Sequence, residues 1–206
     1  MSKPKTESQL QFDKLVSEVI WPEFKQRGYH RAGNNFRYYD AAGWGKILNI
    51  QKSVFGDRNS ISFTLNTGLY LPEAERLWMG RTSDERFLEP GCLIRKRIGR
   101  LKSSHNQWYE LLEPSEFDQV LHSVEQDMSS YVLPYMDRVT GIDDILEQLI
   151  LEKEPSSALA IETLFVYGRR QEAQTWMEHE LANTIYRARR QELLELQNKL
   201  NNDLYN

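Results

Sequence analysis

Residues Ser60–Leu71, SISFTLNTGLYL, carry the plainest β signal in the chain and decide its fold class. Ile61, Phe63, Leu65, Leu69 and Leu71 fall on one parity, while Ser62, Thr64 and Asn66 fall on the other. Successive side chains of an extended backbone point to opposite faces, so this strand has one apolar face and one wet face. Upstream, Phe36, Tyr38 and the run Ile47 to Gln51 keep the same two-residue period around a Gly43-Trp44-Gly45 turn, which predicts a hairpin. Downstream, Cys92 to Ile98 predicts a fourth strand. Cys92, Ile94 and Ile98 lie on one side, Arg95 and Arg97 on the other, and Lys96 is an exception on the apolar side. A short fifth strand is expected near Trp108. The intervening residues 72–90, with two prolines and mixed charge, read as a long excursion containing a short helix around Leu77-Trp78-Met79.

Helical periodicity frames this sheet. Thr6 with Gln9 three residues later forms a capping-box pattern ahead of Phe12, Leu15, Val16, Val19 and Ile20. Pro22 is expected to end or kink that helix, with Gly28 as its C-terminal stop. Ser115 is placed to cap a long helix carrying Phe117, Val120, Leu121, Val124, Met128 and Val132, closed by Pro134. Thr140 and Asp143 open another, bearing Ile142, Ile145, Leu146, Leu149 and Ile150. Pro155-Ser156 breaks it and begins a third that stops near Gly168. Residues Gln171 to Leu200 then read as one long helix or two in series. The expected class is α+β, with an antiparallel sheet of about four to five strands flanked by N-terminal and central helices. Residues 1–138 form that part, and an all-α extension over 139–206 packs on it.

The composition suits such a fold. Of 206 residues, 40% are hydrophobic and 27% charged, enough apolar material for a sizeable core. Apolar runs break well before the roughly 18 residues of a membrane-spanning helix. The opening MSKPKTESQLQFDK has no apolar leader core, and Cys92 is the single cysteine, so no internal disulfide forms and a cytoplasmic location is expected. The net charge of -4 hides a segregation: residues 1–109 carry 18 Lys/Arg against 11 Asp/Glu, whereas residues 110–154 carry 2 against 12. Either the basic front and acidic middle neutralise each other on one surface, or the basic part meets an anionic ligand or partner.

The order of short motifs is familiar. Gly28-Tyr29, Phe36, Ile50-Gln51, Phe63-Thr64-Leu65-Asn66-Thr67-Gly68, Cys92 through Arg100, Trp108 and Leu133-Pro134-Tyr135-Met136-Asp137 together resemble a bacterial family known as domain of unknown function 4304, over residues 8 to 138. The resemblance implies an antiparallel sheet with packed helices. It implies no activity.

Catalytic and metal signatures fail on spacing. His30, His105, His122 and His179 share no helix or strand, and the neighbours in Glu178-His179-Glu180 point in different directions on a helix. No cofactor motif is read. Gly43-Trp44-Gly45 lacks the Lys-Ser/Thr of a phosphate loop. Cys92 reads as a buried core thiol, and the pairs Asp84-Glu85 and Asp143-Asp144 read as helix-start residues.

What remains is the wet side of the sheet, where Gln51, Ser62, Thr64, Asn66, Arg95 and Arg97 project together if the strands pair in register. Arginines on a rigid strand fork onto carboxylates or phosphates, and amides fix orientation, so this face is the candidate site for a protein or anionic ligand. The competing reading covers the same face with an acidic or C-terminal helix. A second candidate surface is the stripe Tyr186, Leu193, Leu196 and Leu200, either a homodimer or partner seam or a face packed on its own domain. The leading expectation is a non-catalytic interaction protein, regulatory or toxin-neutralising. Alternatives are an enzyme whose arginine-lined cleft includes a carboxylate or His105, and a binder of single-stranded nucleic acid. The last would use Tyr38, Tyr39, Trp44, Trp108 and Tyr109 beside Lys96, Arg100 and Lys102, although a pI near 5.7 speaks against it.

Overall fold

The computed structural model describes residues 4–55, 60–103, 107–112, 117–153 and 157–202, apart from the side chain of Ser157. Ser115, Pro155-Ser156 and His105 lie outside them. Six strands form one antiparallel sheet: β1 (His30–Ala32), β2 (Asn35–Tyr39), β3 (Gly45–Lys52), β4 (Ile61–Tyr70), β5 (Ile94–Arg97) and β6 (Tyr109–Leu111). The order is β1-β2-β3-β4-β5, and β6 shares the β4 edge with β5, beside the other end of the strand. The strand β1 was not foreseen in the sequence. It is a three-residue edge, too short for a periodic signal.

Parity sorts the two faces. Phe36, Leu48, Ile50, Phe63, Leu65, Leu69 and Ile94 point to one side and are buried in the main core. The helices α1 (Glu7–Lys14), α2 (Trp21–Lys25) and α5 (Phe117–Asp127), through Phe12, Phe24 and Val124, contribute to the same core. On the opposite face, at one end, the excursion lays Phe87 and Cys92 on Ile47 and Tyr70. Tyr70 and Phe87 stack with centroids 4.1 Å apart. The excursion itself opens with α3 (Pro72–Met79). Cys92 is therefore a buried thiol as expected, but it lies outside the strand and on the face opposite Ile94. Burial pushes its pKa up.

Neither Pro22 nor Pro134 ends its helix. Each follows a π-helical stretch, Leu15–Ile20 before Trp21-Pro22 and Met128–Val132 before Leu133-Pro134, after which α-helix resumes as α2 and α6 (Leu133–Asp137). In both, the residue just before the proline bonds five residues back: Trp21 N–H to Val16 and Leu133 N–H to Met128. A proline has no N–H and its ring collides with the carbonyl four residues back, costing about 3 kcal/mol in a regular α-helix. Widening the preceding turn by one residue makes room for the ring. Gly28, at φ 78, does provide the expected stop.

Buried charges join the layers. The Lys46 ammonium, on the apolar face of β3, donates to the carbonyls of Met136 (2.9 Å) and Val139 (2.8 Å), closing the C-terminal end of α6. Burial lowers its pKa. Asp127 accepts from the Tyr109 hydroxyl and Gln107 amide, both at 2.7 Å, and pairs with Lys102 at 2.7 Å. Lys96, the exception in its strand, reaches Glu152 at 2.5 Å. That ion pair ties the sheet to the helical extension, made of α7 (Ile142–Glu152), α8 (Ser157–Val166), α9 (Arg170–Asn183) and α10 (Arg187–Asn202). Short α4 (Ile98–Leu101) links β5 to β6. The main core continues without a break into the extension through Ile145, Leu149, Ile161, Leu164, Trp176 and Leu193. At the start of α7, Asp144 rather than Asp143 is the capping carboxylate. It accepts from the Thr140 N–H and hydroxyl and the Gly141 N–H, which hold its pKa below the ordinary carboxylate value.

The tightest point is Gly68. A Cβ there would stand 2.6 Å from Cys92 Sγ and 2.9 Å from Ile47 Cγ2. The substitution Gly68→Ala is expected to destabilise the chain by about 1–3 kcal/mol through overpacking. Adding Cys92→Ala, which vacates the colliding sulfur, should restore part of that loss, read from urea unfolding of the single and double variants.

Candidate functional site

Away from the excursion, the second face of the sheet carries a row of polar side chains directly opposite one another across four strands. Asn35 pairs with Asn49, Asn49 with Asn66, and Asn66 with Arg97. Gln51, opposite Thr64, stands beside the row. The bonds form a chain. Arg97 Nε–H donates to Asn66 Oδ1 (3.1 Å), Asn66 Nδ2 to Asn49 Oδ1 (3.4 Å) and to Gln51 Oε1 (2.9 Å), and Asn49 Nδ2 to Asn35 Oδ1 (2.9 Å). Arg97 Nη2 also reaches Gln51 Oε1 at 3.2 Å, and its guanidinium carbon lies 5.3 Å from the centroid of Trp108.

Two chemical consequences follow from this direction of donation. Each amide turns its oxygen toward the guanidinium and its NH₂ away from it, so the dipoles align and strengthen one another. The positive end of the chain of dipoles is then the NH₂ group of Asn35, while a guanidinium stands at the other end. The Asn35 end presents N–H donors and the other end carries a positive charge, the chemistry that suits an anion.

The six residues expected on this face differ in what they present. Gln51 is exposed, Ser62 and Arg97 are half-buried, and all three lie on the wet face as parity required. Asn66 is also on that face but buried, and acts as the central link of the row rather than a surface group. Thr64 is fully buried and its hydroxyl has no hydrogen-bond partner, so it presents nothing. Arg95 is engaged with Glu89, its Nε 2.8 Å from Oε1 and Nη2 3.2 Å from Oε2, which anchors the excursion to β5. The two arginines expected to act together are thus divided: one is a strut, the other part of the row.

Asn35 and Asn49 are the residues that sequence reading missed. Asn49 shares the parity of Gln51 within a strand already recognised, which was signal enough. Asn35 gains meaning only when β2 is registered against β3. The second candidate surface is mostly closed, because Leu193 and Leu200 are buried in the chain's own core and Leu196 packs against it, leaving Tyr186 exposed before α10 begins. A seam through those leucines would require the extension to open. Of the aromatic residues considered for base stacking, Trp44 and Tyr109 are buried, and Tyr38 packs between Tyr29 and Trp44. Among the described residues, no group of three His, Cys, Asp or Glu side chains is placed to hold a metal ion, and no helix is long and apolar enough to cross a membrane.

Comparison with known proteins adds one finding. The family described as a domain of unknown function (DUF4304) matches residues 20–138, more than half of the chain, from the π-helical stretch to the end of α6. No curated protein and no solved structure gives a significant match.

The row can be tested as a unit. Asn66→Ala removes the central link and leaves partners of Arg97, Asn49 and Gln51 unmet, at an expected cost of about 1–3 kcal/mol. Combined with Arg97→Ala the losses should be clearly less than additive, since both changes break the same chain. Additive losses in urea unfolding would show that the two residues act separately.

Proposed function

The chain belongs to the family described as domain of unknown function 4304, and since that description names no activity, we propose from the geometry that it is an interaction protein whose amide–arginine row binds an acidic segment of a partner protein. The observation that carries this reading is the aligned chain of hydrogen bonds from Arg97 to Asn35 on the sheet face opposite the main core. Neighbouring strands lie about 4.8 Å apart, so the row extends roughly 14 Å. That is the reach of an extended segment laid across the strands, not of a small molecule in a cavity. The NH₂ groups of Asn35 and Asn49 offer donors to the carboxylates of such a segment, and the positive charge of Arg97 at the other end of the row adds to the attraction. The basic front half of the sequence favours the approach of such a segment. A regulatory role, toxin neutralisation included, is the kind of task a surface of this type serves.

A poly-glutamate peptide is a direct probe. Titrated into the labelled protein, it should shift the side-chain NH₂ signals of Asn35 and Asn49 and the Nε–H signal of Arg97, and Arg97→Ala, which removes the charge at the head of the row, should weaken binding. If these signals stay still while a single-stranded oligonucleotide binds with steep salt dependence, the nucleic-acid reading replaces this one.

A further inference from the structure

A second basic site lies at the β1 edge of the sheet, separate from the amide row and independent of the function proposed for it. Here β1, β2 and the turn Asp84–Arg86 of the excursion enclose a pocket of about 270 Å³ lined by His30, Arg31, Arg37, Tyr39, Glu85 and Arg86. Arg37 stands opposite His30 on one side and Ile47 on the other, which turns it toward the excursion. Its Nε–H donates to the carbonyl of Phe87, and among the described residues no carboxylate pairs with it. The side chain is only partly exposed, and burial lowers its pKa. A guanidinium drawn out of water without a counter-charge is costly, and an anion bound beside it removes that cost.

The neighbouring arginines divide between the two faces of the sheet edge, and Arg86 adds to the same charge. Arg31, opposite Phe36, turns to the other face of the sheet, where its Nε–H donates to the Gly33 carbonyl and its guanidinium carbon lies 5.6 Å from the ring of Phe36. Arg86 comes from a turn that begins with Asp84 at φ 48, a left-handed conformation uncommon for a residue other than glycine. Two guanidinium groups from separate elements, those of Arg37 and Arg86, and the His30 imidazole line the pocket with one carboxylate, that of Glu85. A planar carboxylate ligand would be satisfied by one guanidinium fork. A tetrahedral phosphate accepts from several directions at once, so it can bridge donors that come from separate elements. The pocket is also smaller than the roughly 300–1,000 Å³ that encloses a drug-sized ligand.

We propose that this pocket is a phosphate site, in which Arg37 and Arg86, with His30 beside them, receive a free phosphate ion or the phosphate group of a small phosphomonoester. Inorganic phosphate, methyl phosphate and acetate, each titrated at constant ionic strength set with chloride, test it by backbone amide shifts. Phosphate should bind saturably and move the amides of Arg37, Tyr39 and Arg86, with acetate at least tenfold weaker. Methyl phosphate binding as well as phosphate would identify an esterified ligand, and its failure a free ion. Arg37→Ala should reduce phosphate affinity at least tenfold. Because that change also removes the bond to Phe87, Arg86→Ala supplies the variant that leaves the fold's own contacts intact, and it should weaken binding several-fold. Equal binding of acetate and phosphate, shifts located elsewhere, or unchanged affinity in Arg86→Ala overturns the site.

Discussion

The register between β3 and β4 is the constraint on which everything else in this protein rests. Ile50 opposite Leu65 serves the main core, Ile47 opposite Gly68 serves the small core under the excursion, and Asn49 opposite Asn66 builds the polar row. A slip of one residue would send every one of these side chains to the wrong face. Burying an aliphatic side chain is worth about 1.5–3 kcal/mol, whereas a neutral hydrogen bond contributes about 1 kcal/mol net. The apolar residues therefore choose the register, and the amides align because they occupy the positions between them.

A few buried charges then decide how the helices sit on the sheet. Lys46 under α6, Lys96 against Glu152, and Asp127 between Tyr109, Gln107 and Lys102 each span two elements. A charge removed from water tolerates few arrangements, since only a partner in the right place offsets its desolvation. Such contacts add less to stability than to uniqueness of docking. Arg27, which reaches both oxygens of Asp137 at 3.1 Å, does the same at a more exposed point, joining the end of the N-terminal helices to the end of α6.

Much of the framework was legible in the chain. Alternation in Ser60–Leu71 revealed a strand with one wet face, the Thr6–Gln9 pattern revealed a helix start, and Gly28 and Gly168 marked helix ends with positive φ. What misled was local. Pro22 read as a stop or a kink and Pro134 as a stop, because the compensating π turns depend on hydrogen bonds five residues apart, which leave no compositional mark. Lys96 read as an exception to its strand because its partner, Glu152, is more than fifty residues away. Arg95 and Arg97 share a parity yet have different neighbours: Glu89 sits beside one and the amide row beside the other.

The amino-acid sequence by itself determined the class of fold, the strand faces and the positions of the helices, because each follows from the period of apolar residues within a short stretch. Only the tertiary structure decided that Asn35, Asn49, Asn66 and Arg97 form one hydrogen-bonded line, and that Arg37 and Arg86 share one pocket. These groupings join residues from separate elements. Their geometry is set by strand register and by the path of the excursion across the sheet, and no local pattern encodes either.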